Sequence, residues 1–163
     1  MGQLFDAMIA FFNDELEWKV SEIEDDAVLS MEYEGKNGRW PCYAQAHEDQ
    51  DRYVFYSVIP VTALEDRRPA VAELLTRANY GILIGNFELD LDDGEIRYKT
   101  SIDMEGVVPT SAEDRSVSTI LWKSLVYANV LTSDQYLPAI KSVAEGHTEP
   151  TEALQRIEDS AIA

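Results

Sequence analysis

The chain has 163 residues, of which 45% are hydrophobic and 27% charged, with 31 acids against 13 Lys and Arg and a formal net charge of −18. That length encloses a core without disulfides or metal, and the composition is that of a folded chain, not a disordered one. The charge disfavours nucleic-acid and anionic-membrane partners, and the single cysteine, Cys42, can supply neither an internal disulfide nor a cysteine-rich zinc site.

The lone thiol reads as a small buried apolar side chain in a reducing compartment. The first residues lack a basic region, and no apolar run approaches the ~20 residues needed to span a bilayer, so a cytoplasmic location is expected. Gly2 invites N-myristoylation, but Asp6 stands where that motif needs Ser or Thr.

A first helix is predicted over residues 2–13, where Leu4, Phe5, Met8, Ile9 and Phe12 recur at three- and four-residue spacing. Three strands follow. Leu29, Met31 and Tyr33 alternate with Ser30, Glu32 and Glu34, and Asn37–Gly38 is a strong two-residue hairpin signal. That loop pairs Tyr33 with Cys42, Met31 with Ala44 and Leu29 with Ala46, all on one face. Pro41 then belongs at a sheet edge or a strand start. The third strand, "RYVFYSVIP", is apolar on both faces, which predicts cover on both sides or a face that meets a partner.

Pro69 opens a second helix with Val71, Leu74, Leu75 and Ala78 as its stripe and Asn79 and Gly81 as its stop. Two more strands follow. After Pro109 a long helix is expected to place Val117, Ile120, Leu121, Ser124, Ala128 and Leu131 toward the core. Ser133–Asp134 then starts a last helix bearing Tyr136, Leu137, Ile140 and Val143. The order is α-β-β-β-α-β-β-α, an α+β fold with a mostly antiparallel sheet. Residues 1–146 form a single domain, and residues 147–163 an acidic C-terminal tail, weakly amphipathic through Leu154 and Ile157.

The densest cluster of acids is "NFELDLDDGEIRYKT", with five carboxylates between Glu88 and Glu95. An EF-hand needs oxygen ligands at positions 1, 3 and 5, Gly at 6 and Glu at 12. With Gly94 at position 6, positions 1 and 3 become Leu89 and Leu91; with Asp90 at position 1, Gly94 falls at position 5. A hairpin turning at Asp93–Gly94 explains the segment instead. It sets Leu91 opposite Ile96, Leu89 opposite Tyr98 and Phe87 opposite Thr100, with Asp90 facing Arg97 and Glu88 facing Lys99.

No metal or cofactor is expected. His47 and His147 read as surface residues, and no nucleophile–base motif or phosphate loop is present. Arg67–Arg68 reads as a solvated first turn, with anion binding as the sharper alternative. On the long helix, Trp122, Val126 and Val130 recur by four on the side opposite the expected core stripe. That row is either covered by the last helix or the tail, or it is a partner or dimer contact.

The element order, together with "RRPAVAELLTRANYGILIGNFELDLDDGEIRYKTSIDMEG" over residues 67–106, resembles the YbjN family, in particular its cyanobacterial-type members. That family is similar in fold to the type III secretion chaperones, which are small, acidic, usually dimeric and hold extended client segments without ATP. The resemblance implies a non-catalytic protein- or peptide-binding module, chaperone-like or regulatory, acting as a homodimer. Its expected contacts are Leu74, Ile102, Met104, Trp122, Val126 and Val130. The alternative is a small-molecule sensor or enzyme with a pocket between sheet and helices.

Overall fold

The computed structural model describes residues 2–23, 27–107 and 112–162. Helix α1 (Gln3–Ala10) runs into a π-helical turn, Phe11–Glu15. Four strands follow: β1 (Ser21–Ile23), β2 (Val28–Glu34), β3 (Arg39–His47) and β4 (Arg52–Val58). Then come α2 (Arg68–Gly81), β5 (Asn86–Leu89), β6 (Ile96–Asp103), α3 (Ala112–Ala144) and α4 (Pro150–Ile162). The sheet is antiparallel throughout, in the order β1-β2-β3-β4-β6-β5. This is the expected α+β class. The added strand, β1, is three residues long and exposed along its length, so it carries no apolar alternation to read.

One face of the sheet is packed. Leu29, Met31, Cys42, Ala44, Tyr53, Phe55, Tyr98 and Thr100 are buried against α1 and α3. The opposite face bears Glu32, Glu34, Tyr43, Tyr56, Arg97 and Lys99 and is exposed or half-buried, with Arg97 over the Tyr56 ring at 4.6 Å. Strand β4, expected to be covered on both sides or to meet a partner, is therefore packed by helices on one side. On its other face Val54 is buried, while Tyr56 and Val58 are half-buried. Pro41 sits near the start of β3, before the pairing with β4 begins at Cys42, where its missing N–H breaks no ladder bond.

Both hairpins keep their predicted faces in a register two residues away from the predicted one. In β2–β3, Met31 pairs with Cys42 and Tyr33 with Trp40, and the Gly35 N–H donates to the Gly38 carbonyl. The loop is therefore Lys36–Asn37. In β5–β6, Leu89 pairs with Ile96 and Phe87 with Tyr98, which leaves Leu91 exposed in the loop between the strands. Side chains alternate with period two, so a two-residue slip changes every partner and no facing.

Helix α3 reverses its predicted orientation. Trp122, Val126 and Val130 lie in the core at 1%, 0% and 0% exposure, whereas Val117, Ile120 and Leu131 face outward at 40%, 67% and 57%. The buried row includes Ser118, Asn129 and Ser133, and these polar residues weakened its apolar signal. Asn129 is satisfied inside: its amide donates to the Phe55 and Tyr98 carbonyls and to Thr100 Oγ1 at 3.0, 3.1 and 3.2 Å.

The expected break at Ser133–Asp134 does not occur, and α3 continues through Pro138 to Ala144. Ser133 is buried, and the Asp134 carboxylate serves the β2–β3 loop instead of capping a helix. The segment read as a tail forms α4, which buries Ala153 and Ile157 against α2 and α3.

Two long-range caps fix the helices. The Glu48 carboxylate accepts the N–H groups of Leu4 and Phe5 at 3.3 and 2.7 Å and so caps α1. The Arg67 guanidinium donates twice to the Val143 carbonyl near the end of α3, at 3.1 and 2.8 Å.

Candidate functional site

The acids of the β5–β6 hairpin build the turn. The Asp90 carboxylate accepts the Asp92 N–H and the Asp93 carboxylate accepts the Glu95 N–H, both at 2.8 Å. Gly94 adopts φ +83°, and a Cβ there would overlap the Ala63 carbonyl oxygen. Glu88 pairs with both Arg97 (2.6 Å) and Lys99 across the ladder. Partial burial alone would raise the Glu88 pKa, but hydrogen bonds from Lys99 and Arg97 hold it below the ordinary carboxylate value. Among the described residues no group of His, Cys, Asp and Glu could hold a metal ion.

Four of the polar residues that the sequence offered for chemistry are buried, occupied or on the surface. Burial pushes the Cys42 thiol up to about 12, with Ser57 Oγ 3.4 Å from its sulfur. Arg68 is spent on the carbonyls of Ala63 and Leu91, as Arg67 is on Val143, so neither is a free anion site. His147 lies on the surface beside Glu145 at 3.3 Å.

Five of the six residues expected as partner contacts are inside the fold. Trp122 stacks on Tyr53 at 5.0 Å and meets Phe11 edge-on at 5.6 Å. Val126, Val130, Leu74 and Met104 are fully buried, and Ile102 is half-buried opposite Tyr53. None of the five presents an open surface, because the sheet claims the Trp122 row as its cover.

The surface features that stand out lie elsewhere, at the two ends of the sheet. At one end β1 is too short to cover β2. Its pairing stops at Ser21–Ser30, so from Met31 to Glu34 only β3 pairs with β2 among the described residues. The ladder alternates outward from the Gly35–Gly38 pair, which turns the backbone N–H and C=O of Glu32 and Glu34 toward the open side. A groove of about 740 Å³ runs along this edge, lined by Trp18, Met31, Glu32, Tyr33, Glu34 and Pro41 among others. Trp18 lies 5.5 Å from Tyr33, which lies 5.2 Å from the buried Trp40. Burial first, then the neighbouring Asp134, raises the Tyr33 phenol pKa.

At the other end β5 is closed at Phe87. The Asn79 amide donates to the Phe87 carbonyl at 3.0 Å and accepts the Phe87 N–H at 2.8 Å, so one side chain satisfies the outward backbone of Phe87. Beside it Tyr80 and Leu83 protrude at 97% and 99% exposure. Neither end was singled out in the sequence. The signal available was indirect and bore on the β5 end alone, in the ten uncharged residues 78–87.

The fold is shared with solved structures of protein–protein complexes. One chain of the HopA1–SchA chaperone–effector complex superposes with a TM-score of 0.53 at 14% identity, over 83% of this chain and 95% of that one. A chain of the ExsC–ExsE complex superposes at 0.55 and 8% identity, over 85% and 94%. At such identities the likeness is one of fold, a type III secretion chaperone-like α+β arrangement. The chain belongs to the YbjN family, described as "Putative bacterial sensory transduction regulator", whose model matches residues 6–121. No curated protein matches the sequence. No helix among the described residues is long and apolar enough to cross a membrane.

Proposed function

We propose that this chain is a non-catalytic peptide-binding module that takes an extended segment of another protein as an added strand along Met31–Glu34. The observation that carries the reading is the uncovered half of β2, with two residues whose backbone groups face a groove and have no neighbouring strand among the described residues. Backbone bonds at such an edge supply affinity, and alternate side-chain pockets supply selectivity. On one face of an added strand, side chains would meet Met31, Tyr33 and Trp18; on the other they would meet Glu32 and Glu34. Glu32 is already paired with Arg39 at 3.0 Å, and Lys19 and Arg39 also line the groove, so the client segment alternates apolar and polar residues, with a basic one opposite Glu34. The likeness to a chain of a chaperone–effector complex and to a chain of the ExsC–ExsE complex supports a protein-binding use of this fold.

The test is selection of peptides on the full chain from an alternating apolar–polar library, followed by calorimetry on wild type and Glu34→Pro. Proline at 34 deletes an outward N–H and leaves the inward ladder to β3 intact. Binding that weakens at least ~10-fold with unchanged melting is expected, the effect of losing about 1.4 kcal/mol. Absence of any binder, or binders indifferent to Glu34→Pro, overturns the edge.

A further inference from the structure

Asn37 is exposed in the β2–β3 loop, and no other asparagine of the chain is followed by glycine; the rest precede Asp14, Tyr80, Phe87 and Val130. An asparagine loses its side-chain nitrogen as ammonia when the backbone nitrogen of the next residue attacks its amide carbon. Glycine, without a Cβ, hinders that attack least. The loop also leaves the attacking atom free. The Gly38 carbonyl accepts the Gly35 N–H, but the Gly38 N–H donates no hydrogen bond among the described residues. The comparable pair in the other hairpin, Asp93–Gly94, is different: there the Gly94 N–H donates to the Asp90 carbonyl at 2.9 Å.

Asp134 restrains Asn37. Its carboxylate accepts the N–H groups of Lys36 and Asn37 at 3.0 and 2.8 Å, and its backbone carbonyl accepts the Asn37 side-chain amide at 2.9 Å. Reaching the Gly38 nitrogen takes a rotation of the Asn37 side chain, which the bond to the Asp134 carbonyl opposes. Glycines on both sides let the loop lie against α3. A Cβ at Gly35 would overlap the Asp134 carboxylate, and one at Gly38 would come within 2.6 Å of Leu137 Cδ2. A loop held at one end of a hairpin by three hydrogen bonds opens without the core, and such a reaction proceeds from the opened fraction.

We propose that Asn37 is a site of spontaneous deamidation, held in check by Asp134 while the loop is docked, and that conversion undocks the loop irreversibly. The Gly38 nitrogen bonds to Asn37 Cγ, the Cγ–Nδ2 bond breaks, and ammonia leaves with the proton that Gly38 gives up. Water then opens the cyclic imide at either carbonyl and leaves an aspartate or an isoaspartate. The product has no side-chain N–H for the Asp134 carbonyl, and it sets a second carboxylate beside that of Asp134. Like charges so placed oppose docking. Isoaspartate also lengthens the backbone of a two-residue loop. The change falls just beyond Glu34, the last residue of β2, and stands whether or not a peptide binds at that edge.

Peptide mapping by mass spectrometry, after incubation of the full chain at mildly alkaline pH, tests the proposal on wild type, Asp134→Ala and Gly94→Ala. A synthetic peptide of residues 33–41 is the unrestrained reference. Asn37 is expected to convert before any other asparagine, and more slowly in wild type than in the peptide. Asp134→Ala converts at least ~10-fold faster than wild type, the equivalent of about 1.4 kcal/mol of opening free energy. Gly94→Ala, destabilised in the other hairpin, converts like wild type, and Asn37→Asp melts below it. Wild type converting as fast as the peptide overturns the proposal, as does Asp134→Ala converting no faster than wild type. Gly94→Ala accelerated as much as Asp134→Ala assigns the reaction to global unfolding and overturns it too. Earlier conversion at another asparagine refutes the site, and Asn37→Asp melting with wild type refutes the undocking.

Discussion

Asp134 holds Asn37 by both of its oxygen types: its carboxylate accepts the Asn37 N–H at 2.8 Å, and its backbone carbonyl accepts the Asn37 side-chain amide at 2.9 Å. The carbonyl is available because Pro138, four residues on, has no N–H to give it. The carboxylate also takes the Lys36 N–H at 3.0 Å, so the whole β2–β3 loop is docked on α3. Asp134→Ala is expected to cost about 1–3 kcal/mol, in the range of hydrogen bonds to a charged group, and urea denaturation measures it. Asn37→Ala should cost less in a Pro138→Ala background, where the backbone N–H regained at that position gives the Asp134 carbonyl its helical bond. A double-mutant cycle with no coupling between the two sites would sink this account.

Trp122 and Ile120 are two residues apart and stand on opposite sides of α3, one at 1% and the other at 67% exposure. Trp122→Ala should cost about 3–5 kcal/mol, as large-to-small changes in a packed core do. Ile120→Ala should stay within about 0.5 kcal/mol. The helix itself was legible from its spacing, but its orientation was not. Both sides carry apolar rows, and the row that packs contains Asn129 and two serines, whose surroundings are supplied only by tertiary structure. Periodicity identifies a helix with two apolar faces; it does not say which face meets a sheet. Comparable melting of the two variants would reject the orientation.

Gly94 shows how far the hairpins could be read. The turn and its facing followed from alternation around a Gly, but the register did not, since a shift of two preserves the facing. The register is set by contacts distant in sequence: the Ala63 N–H donates to the Gly94 carbonyl at 2.9 Å, and the Ala63 carbonyl occupies the space a Cβ would need. The open β2 edge was hidden for a related reason, because it depends on where β1 stops and not on any motif. Gly94→Ala should destabilise by about 2–4 kcal/mol, combining a strained φ with a backbone clash. Gly81, with nothing within 4 Å of a built Cβ, should accept alanine with little loss. Equal effects at the two glycines, by thermal or chemical denaturation, would contradict the packing of the loop on Ala63.

Asn79 protects an edge as well as stabilising it. Asn79→Ala removes two hydrogen bonds to Phe87 and should cost about 1–3 kcal/mol. It also exposes an unpaired strand next to Leu83, so light scattering at high concentration should rise in this variant. Asn79→Asp keeps the acceptor for the Phe87 N–H and loses the donor, and should lie between the two. A variant that loses stability without gaining any tendency to associate would leave Asn79 a structural residue alone.

Glu88 links the ladder to pH. Its folded pKa is lowered, against partial burial, by Lys99 and Arg97. A carboxylate lowered in the folded state contributes stability that is present above its unfolded pKa and is lost as pH falls through the folded value. The stability gap between wild type and Glu88→Gln is therefore largest near neutrality and shrinks on acidification through the carboxylate range. Urea unfolding of both proteins at matched ionic strength, from about pH 7 down to about pH 3, measures that difference. Taking the difference cancels the titration of the many other acids, which a single melting curve would mix in. High salt should narrow the gap only partly, because the Glu88 side chain is 25% exposed and its partners lie directly across the ladder. A gap that is flat with pH, or that grows on acidification, would mean that Arg97 and Lys99 do not hold Glu88 in its ionised form.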